Sequence, residues 1–137
     1  MIAPCYPSLG MLGDMAKVTI GFGVALAALG LAGWLGTGRT SLTALIPLAF
    51  GLLLVVCGAL ARREDRRKHA MHAAAVLGLL GFLGPLRVLP QMLALLGGAR
   101  VAHRAAVLDQ LAMMVVCGVF LALCIRSFVA ARRARSA

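Results

Sequence analysis

At 137 residues the chain has room for one domain, and with 62% apolar residues it far exceeds the roughly 45–50% of soluble globular proteins. A net charge of +10 would suit a nucleic-acid binder, but the positive residues lie between and after uninterrupted apolar runs, where membrane topology accounts for them. Nucleic acid is therefore excluded as a partner, and a membrane protein is the simplest account. Of the cysteines Cys5, Cys57, Cys117 and Cys124, none has metal-ligand spacing, and three fall inside apolar runs, where thiols act as small apolar groups.

Residues 1–17 are weakly patterned and hold Pro4 and Pro7. No positive segment precedes a short apolar core and cleavage site, so a removable signal peptide is not expected. Met15-Ala16-Lys17 stands directly before the first apolar run, and Met15 is the expected natural start. Val18–Gly36 is an uncharged run close to the ~20 residues a bilayer requires. Its glycines, Gly21, Gly23, Gly30, Gly33 and Gly36, would weaken a helix in water but permit close helix contacts in lipid. A tight turn follows, with Ser41 as a cap for the next helix. Leu42–Ala61 is the second span, so residues 18–61 form an antiparallel hairpin.

Arg62–His72 interrupts the apolar pattern. Arg62, Arg63, Arg66, Arg67 and Lys68 are joined there by Glu64 and Asp65, and such a block crosses a bilayer only at high cost. Residues 62–70 are therefore expected as a basic loop, and residues 71–129 as a second hairpin. Met71–Leu86 is its first span, and Arg87, bracketed by Pro85 and Pro90, marks a helix end or kink with the arginine reaching outward to head groups. Val88–Leu96 either continues the helix or lies along the interface. Gly97–Arg104 is a second loop, and the last span runs from about Ala105 to Ile125, before a basic tail at residues 130–137.

These elements predict an all-α integral membrane protein, a four-transmembrane-helix bundle with both termini cytoplasmic. Lys17, the Arg62–Lys68 block, Arg126, Arg132, Arg133 and Arg135 share one side, leaving Arg39, Arg87, Arg100 and Arg104 on the other. The expected location is a bacterial inner (plasma) membrane, which the chain crosses several times. Leu29–Gly36 resembles Leu77–Gly84, and Val55–Gly58 reappears as Val115–Gly118. Either the hairpins are parallel repeats or small and branched residues recur by chance.

Gly30, Gly33, Gly36, Gly78, Gly81 and Gly84 are the expected helix-packing positions. Arg62, Arg63, Arg66, Arg67 and Lys68 are candidates for binding anionic lipid head groups. Asp109 lies near the outer end of a span, where Arg87 is its candidate ion partner, with Arg100 or Arg104 as alternatives, and Gln110 can reach a neighbouring helix. His69, Met71 and His72 are conceivable haem or copper ligands, but without a supporting carboxylate or cysteine they read better as interfacial residues opening a helix. Met113, Met114, Cys117 and Cys124 could line a copper(I) path, although such residues at helical spacing usually serve packing. No enzyme motif is present, and four acids leave acid–base chemistry few players, so neither catalysis nor a cofactor is expected.

Gly30, Gly33-Trp34, Gly38, Ser41 and the glycines of Leu42–Gly58 follow a pattern similar to the opening half of the small transmembrane-14 proteins. The resemblance covers about residues 20–58 and implies a compact Gly-rich bundle, with fatty-acid export or haem-precursor traffic as the associated roles. It carries over no functional residues. The leading expectation is a carrier or facilitator for a hydrophobic or anionic lipid-like molecule. The alternatives are a non-catalytic assembly subunit and a haem- or copper-handling protein. Expected partners are the bilayer, anionic lipids and either further copies of the chain or a larger membrane complex.

Overall fold

The computed structural model describes residues 8–40, 42–100 and 104–136. The expected cap at Ser41, and residues 101–103 of the expected second loop, lie outside the described residues. Helix α1 (Ser8–Gly36) is followed by a 3-10 turn (Leu42–Leu45) that leads into α2 (Ile46–Leu60). Helix α3 (Glu64–Leu83) passes through a second 3-10 turn (Gly84–Val88) into the short α4 (Leu89–Leu96), and α5 (Arg104–Ser136) completes the chain. Four stretches are long and apolar enough to cross a membrane: Asp14–Gly36, Leu42–Leu60, Glu64–Leu96 and Arg104–Ser136. The protein is thus a multi-pass helical bundle.

Large apolar side chains face outward along every span, among them Val24, Leu31, Leu53, Val76, Leu80 and Val119. Lipid tails are as apolar as leucine, so burying such residues would gain little, and the helices associate instead by close packing of small residues. The sequence provides these on a seven-residue period. Ala16, Gly23 and Gly30 line α1, while Ala44, Gly51 and Gly58 line the facing 3-10 turn and α2, and all six are buried.

The two rows meet backbone to backbone. A methyl group added at Gly23 would lie 2.7 Å from the Gly51 carbonyl oxygen and 2.8 Å from the Val55 nitrogen. One at Gly51 would strike the Ala27 backbone, and one at Gly30 the Leu48 nitrogen. At Gly58 it would stand 2.6 Å from Ile20 Cγ1. The sequence reading named Gly30 but missed this period.

Helices α3 and α5 pack differently, with small residues receiving large ones. Gly78 lies under the Phe120 ring and Gly81 under Cys117 Sγ, where added methyl groups would sit at 2.9 and 2.6 Å. Phe120 is fully buried and also meets Phe22 of α1, with ring centroids 5.5 Å apart. Leu26, Leu54, Ala74 and Phe120, one from each span, centre the core with Met113, Cys117 and Cys124.

Several expectations need correction. Gly36 and Gly84 contact no neighbour that an added methyl would meet, so they are not packing positions. The basic block is not a loop: the α2–α3 connection is only Ala61–Arg63, and Arg66, Arg67 and Lys68 already belong to α3. Glu64 and Asp65 occupy that helix's first turn, where its dipole favours acids. The first helix starts before Met15, and the basic tail is helical as far as Ser136. Of the resembling segments, Gly33 and the corresponding Gly81 both face α5, the one against the Asp109 carboxyl group and the other against Cys117.

The first hairpin turns through Gly38 and Arg39, with φ of +67° and +65°. Glycine adopts this left-handed conformation without penalty. At Arg39 it is accompanied by stacking of the guanidinium on Trp34, 5.4 Å from the ring centroid. Replacing Gly51 by leucine is expected to destabilise the bundle by about 1–3 kcal/mol through overpacking, whereas Gly84→Leu leaves it unchanged. Thermal unfolding of both variants in mild detergent measures the difference.

Candidate functional site

The start of α1 and the end of α5 lie at the same end of the bundle, where Asp14, Met15, Arg126 and Arg133 line a shared groove of about 630 Å³. The Arg62–Lys68 block belongs to this basic end, since His72, about two turns into α3, stacks on Phe128 of α5 with ring centroids 5.4 Å apart. The five cations of the block line none of the principal cavities. They form a solvated rim.

His69, Met71 and His72 do not converge. His69 is exposed, Met71 is buried against Ala16, Ala61 and Ala70, and His72 Nδ1–H donates to the Lys68 carbonyl oxygen at 2.7 Å. Among the described residues no group of three His, Cys, Asp or Glu side chains could hold a metal ion. Met113, Cys117 and Cys124 are buried in the core, and their order on α5 is that of a packing stripe.

The opposite, distal end is built differently. There the α1–α2 turn, the 3-10 turn before α4, and the start of α5 surround an open vestibule of about 710 Å³. Thr37, Thr40, Thr43, Gln91, Arg104 and Gln110 supply its polar wall. A narrower cleft of about 140 Å³ lies between α2 and α3, walled by Ile46, Pro47, Phe50, Leu80, Pro85 and Met113. Thr43 and Gln110 line both spaces, so the polar vestibule and the apolar cleft adjoin.

The cleft has a local cause. Only three residues separate α2 from α3 at the basic end, holding the helices together there. At the distal end Pro47 sits in the first turn of α2 and Pro85 in the 3-10 turn after α3. Proline fits such first turns because it has no N–H to leave unpaired, and its ring occupies the face where the helices would otherwise close.

Beside Gln110 on α5, but lining neither space, lies the one acid buried among the described residues. Asp109 is 6% exposed, and its carboxyl group rests on Gly33 of α1, where an added methyl would be 2.7 Å from both Cγ and Oδ1. Neither carboxyl oxygen has a hydrogen-bond partner among the described residues, nor does Gln110 Oε1 beside it. The expected Asp109–Arg87 pair does not form: Arg87 is exposed on the 3-10 turn, and the ion pair among the described residues is Lys17–Asp14 at 3.8 Å. Gly33 is a contact position as expected, but its partner is a carboxyl group rather than a helix backbone. The helical spacing of Asp109, Met113, Cys117, Phe120 and Cys124 was the available sign that Asp109 faces inward.

The chain matches no protein-family model, no curated protein and no solved structure. Its functional reading rests on its own residues. Gly33→Ala should lower stability by about 1–3 kcal/mol by crowding the carboxyl group. Adding Asp109→Ala should restore most of that loss, giving a coupling of roughly 0.5–3 kcal/mol in a double-mutant cycle measured by detergent unfolding.

Proposed function

We propose that this is a small non-catalytic membrane protein that binds a lipid-like amphiphile and assists its movement across or within the bilayer. The observation that carries the reading is the polar distal vestibule adjoining an apolar cleft across Thr43 and Gln110. An amphiphile needs such a pair of spaces, one to exchange water for polar side chains and one to keep a chain out of water. The cleft also lies between spans, so a chain can enter it sideways from the lipid.

In this reading both termini and the Arg62–Lys68 rim face the cytoplasm of a bacterial inner membrane, in keeping with the excess of cations at that end. Arg62, Arg63, Arg66, Arg67 and Lys68 hold anionic lipid head groups and fix the depth of the bundle. They are an anchor, not the cargo site, because the vestibule and cleft lie at the other end. The resemblance to the transmembrane-14 proteins is compatible with this role but rests on the first hairpin alone.

A second reading has its own support. On α1 the residues Gly21, Ala25, Ala28 and Ala32 form an exposed stripe of small side chains. Such stripes let helices approach closely in lipid, which favours association with a further copy of the chain or a partner span. The two readings are compatible if the carrier works as a homo-oligomer.

Reconstituted vesicles test the transport reading. The protein should accelerate dithionite-accessible transfer of a fluorescent single-chain amphiphile over protein-free vesicles, and Thr43→Trp, which fills the junction, should reduce that gain several-fold. Equal rates with and without protein would reject it. For association, Ala28→Cys should cross-link to a second copy in the membrane, while Leu53→Cys on the outer face of α2 should not.

A further inference from the structure

The groove at the basic end differs from the charged rim beside it, because its cations flank a defined space. Arg126 and Arg133 line it from α5, with Asp14 and Met15 of α1 opposite. Seven residues separate the two arginines, which places them on one face of the helix about 10 Å apart along its axis. Ala130 lies between them on that face, and its small side chain leaves a gap flanked by two guanidinium groups. Leu123 and Ile125, one turn towards the middle of the span, give the groove an apolar side.

Charge decides what this space accepts. The one acid lining it, Asp14, is paired with Lys17 at 3.8 Å, and neither arginine makes an ion pair among the described residues. Two positive charges are therefore left without a protein counter-charge. Arg132 and Arg135, on the same helix, do not line the groove, and neither does the Arg62–Lys68 block. Depth decides where the partner comes from. Arg126 is the first cation after the apolar run that ends at Ile125, and the first span begins at Asp14. Both walls thus change from apolar to charged at the level of the lipid head groups.

We infer that the groove binds one anionic glycerophospholipid, whose phosphate sits over Ala130 between Arg126 and Arg133 while its acyl chains stay in the bilayer beside Leu123 and Ile125. A guanidinium suits this task because its planar fork meets two phosphate oxygens at once. Two of them flanking one gap select a single head group, whereas the scattered cations of the rim attract any anionic surface. A zwitterionic lipid fits less well, since Lys17 already faces the one carboxylate that its ammonium could use. Only the head group enters, so the groove, at about 630 Å³, does not need to enclose a chain. The site depends on the membrane-spanning fold and not on the distal vestibule or cleft.

The test is native mass spectrometry of the full chain in mild non-ionic detergent, equilibrated with equimolar dimyristoyl phosphatidylglycerol, phosphatidylethanolamine and phosphatidylcholine. One phosphatidylglycerol should be retained in preference to the other two lipids. Arg126→Gln with Arg133→Gln should weaken it about tenfold or more, while Arg132→Gln with Arg135→Gln, which removes the same charge outside the groove, should change it less than about twofold. Ala130→Trp keeps every charge and fills the gap from an exposed position, and it should also weaken the lipid. Equal losses from the two arginine pairs, or undiminished binding to Ala130→Trp, would reduce the site to general attraction of charge and overturn the inference. Preference for phosphatidylethanolamine, or no preference among the three, overturns it as well. So does displacement of the lipid by excess soluble glycerol phosphate, which would make the groove a site for a free phosphate.

Discussion

The contact on which the bundle depends is the backbone approach of α1 and α2 at Gly23 and Gly51. With lipid on the outside there is little to gain from hiding leucine, so a stable hairpin requires helices close enough for dense atomic contact. The rows Ala16–Gly23–Gly30 and Ala44–Gly51–Gly58 achieve this by removing side chains from the seam. A seven-residue period keeps them facing one another over the length of both helices, as in any left-handed helix pair. The resulting slab is the support on which α3 and α5 rest, through Leu26, Leu54 and the Phe22–Phe120 ring contact.

From this seam follows the asymmetry between the two ends. The short Ala61–Arg63 connection keeps α2 and α3 together at the basic end, and the Arg62–Lys68 cations line none of the principal cavities. At the distal end Pro47 and Pro85 line the cleft between α2 and α3. Space opens where polar groups are also concentrated: three threonines, two glutamines and Arg104 above, with Asp109 below. Ionisable residues at membrane depth are costly, and those that persist commonly mark a path for ions or substrates. Asp109 packs against Gly33, and its carboxyl oxygens have no hydrogen-bond partner among the described residues.

Much of the fold was legible in the sequence because the bilayer imposes simple rules. Run length and the placement of Lys and Arg were enough to mark the four spans, and Pro85 and Pro90 marked the break after α3. Helix ends were less accessible. Glu64 and Asp65 favour a helix start inside the basic block, and the tail arginines continue α5 because nothing after Arg126 breaks a helix. Which glycines matter could not be read from their number. Gly30 and Gly36 look alike in sequence, yet one lies against Leu48 and the other faces open space. The Asp109–Gly33 contact was hidden for a similar reason: it joins residues far apart in sequence and depends on how α5 is rotated against α1.

The central claim is that an amphiphile's chain lies in the cleft between α2 and α3. Its most direct measurement uses a single-chain amphiphile carrying a photoreactive diazirine in its tail, irradiated with the protein in vesicles, with labelled residues mapped by peptide mass spectrometry. Labels concentrated on Phe50 and Met113 are the predicted result. Labels spread over the outward residues Leu52, Leu53 and Val56, with Met113 untouched, would show that the amphiphile meets the protein only as bulk lipid does.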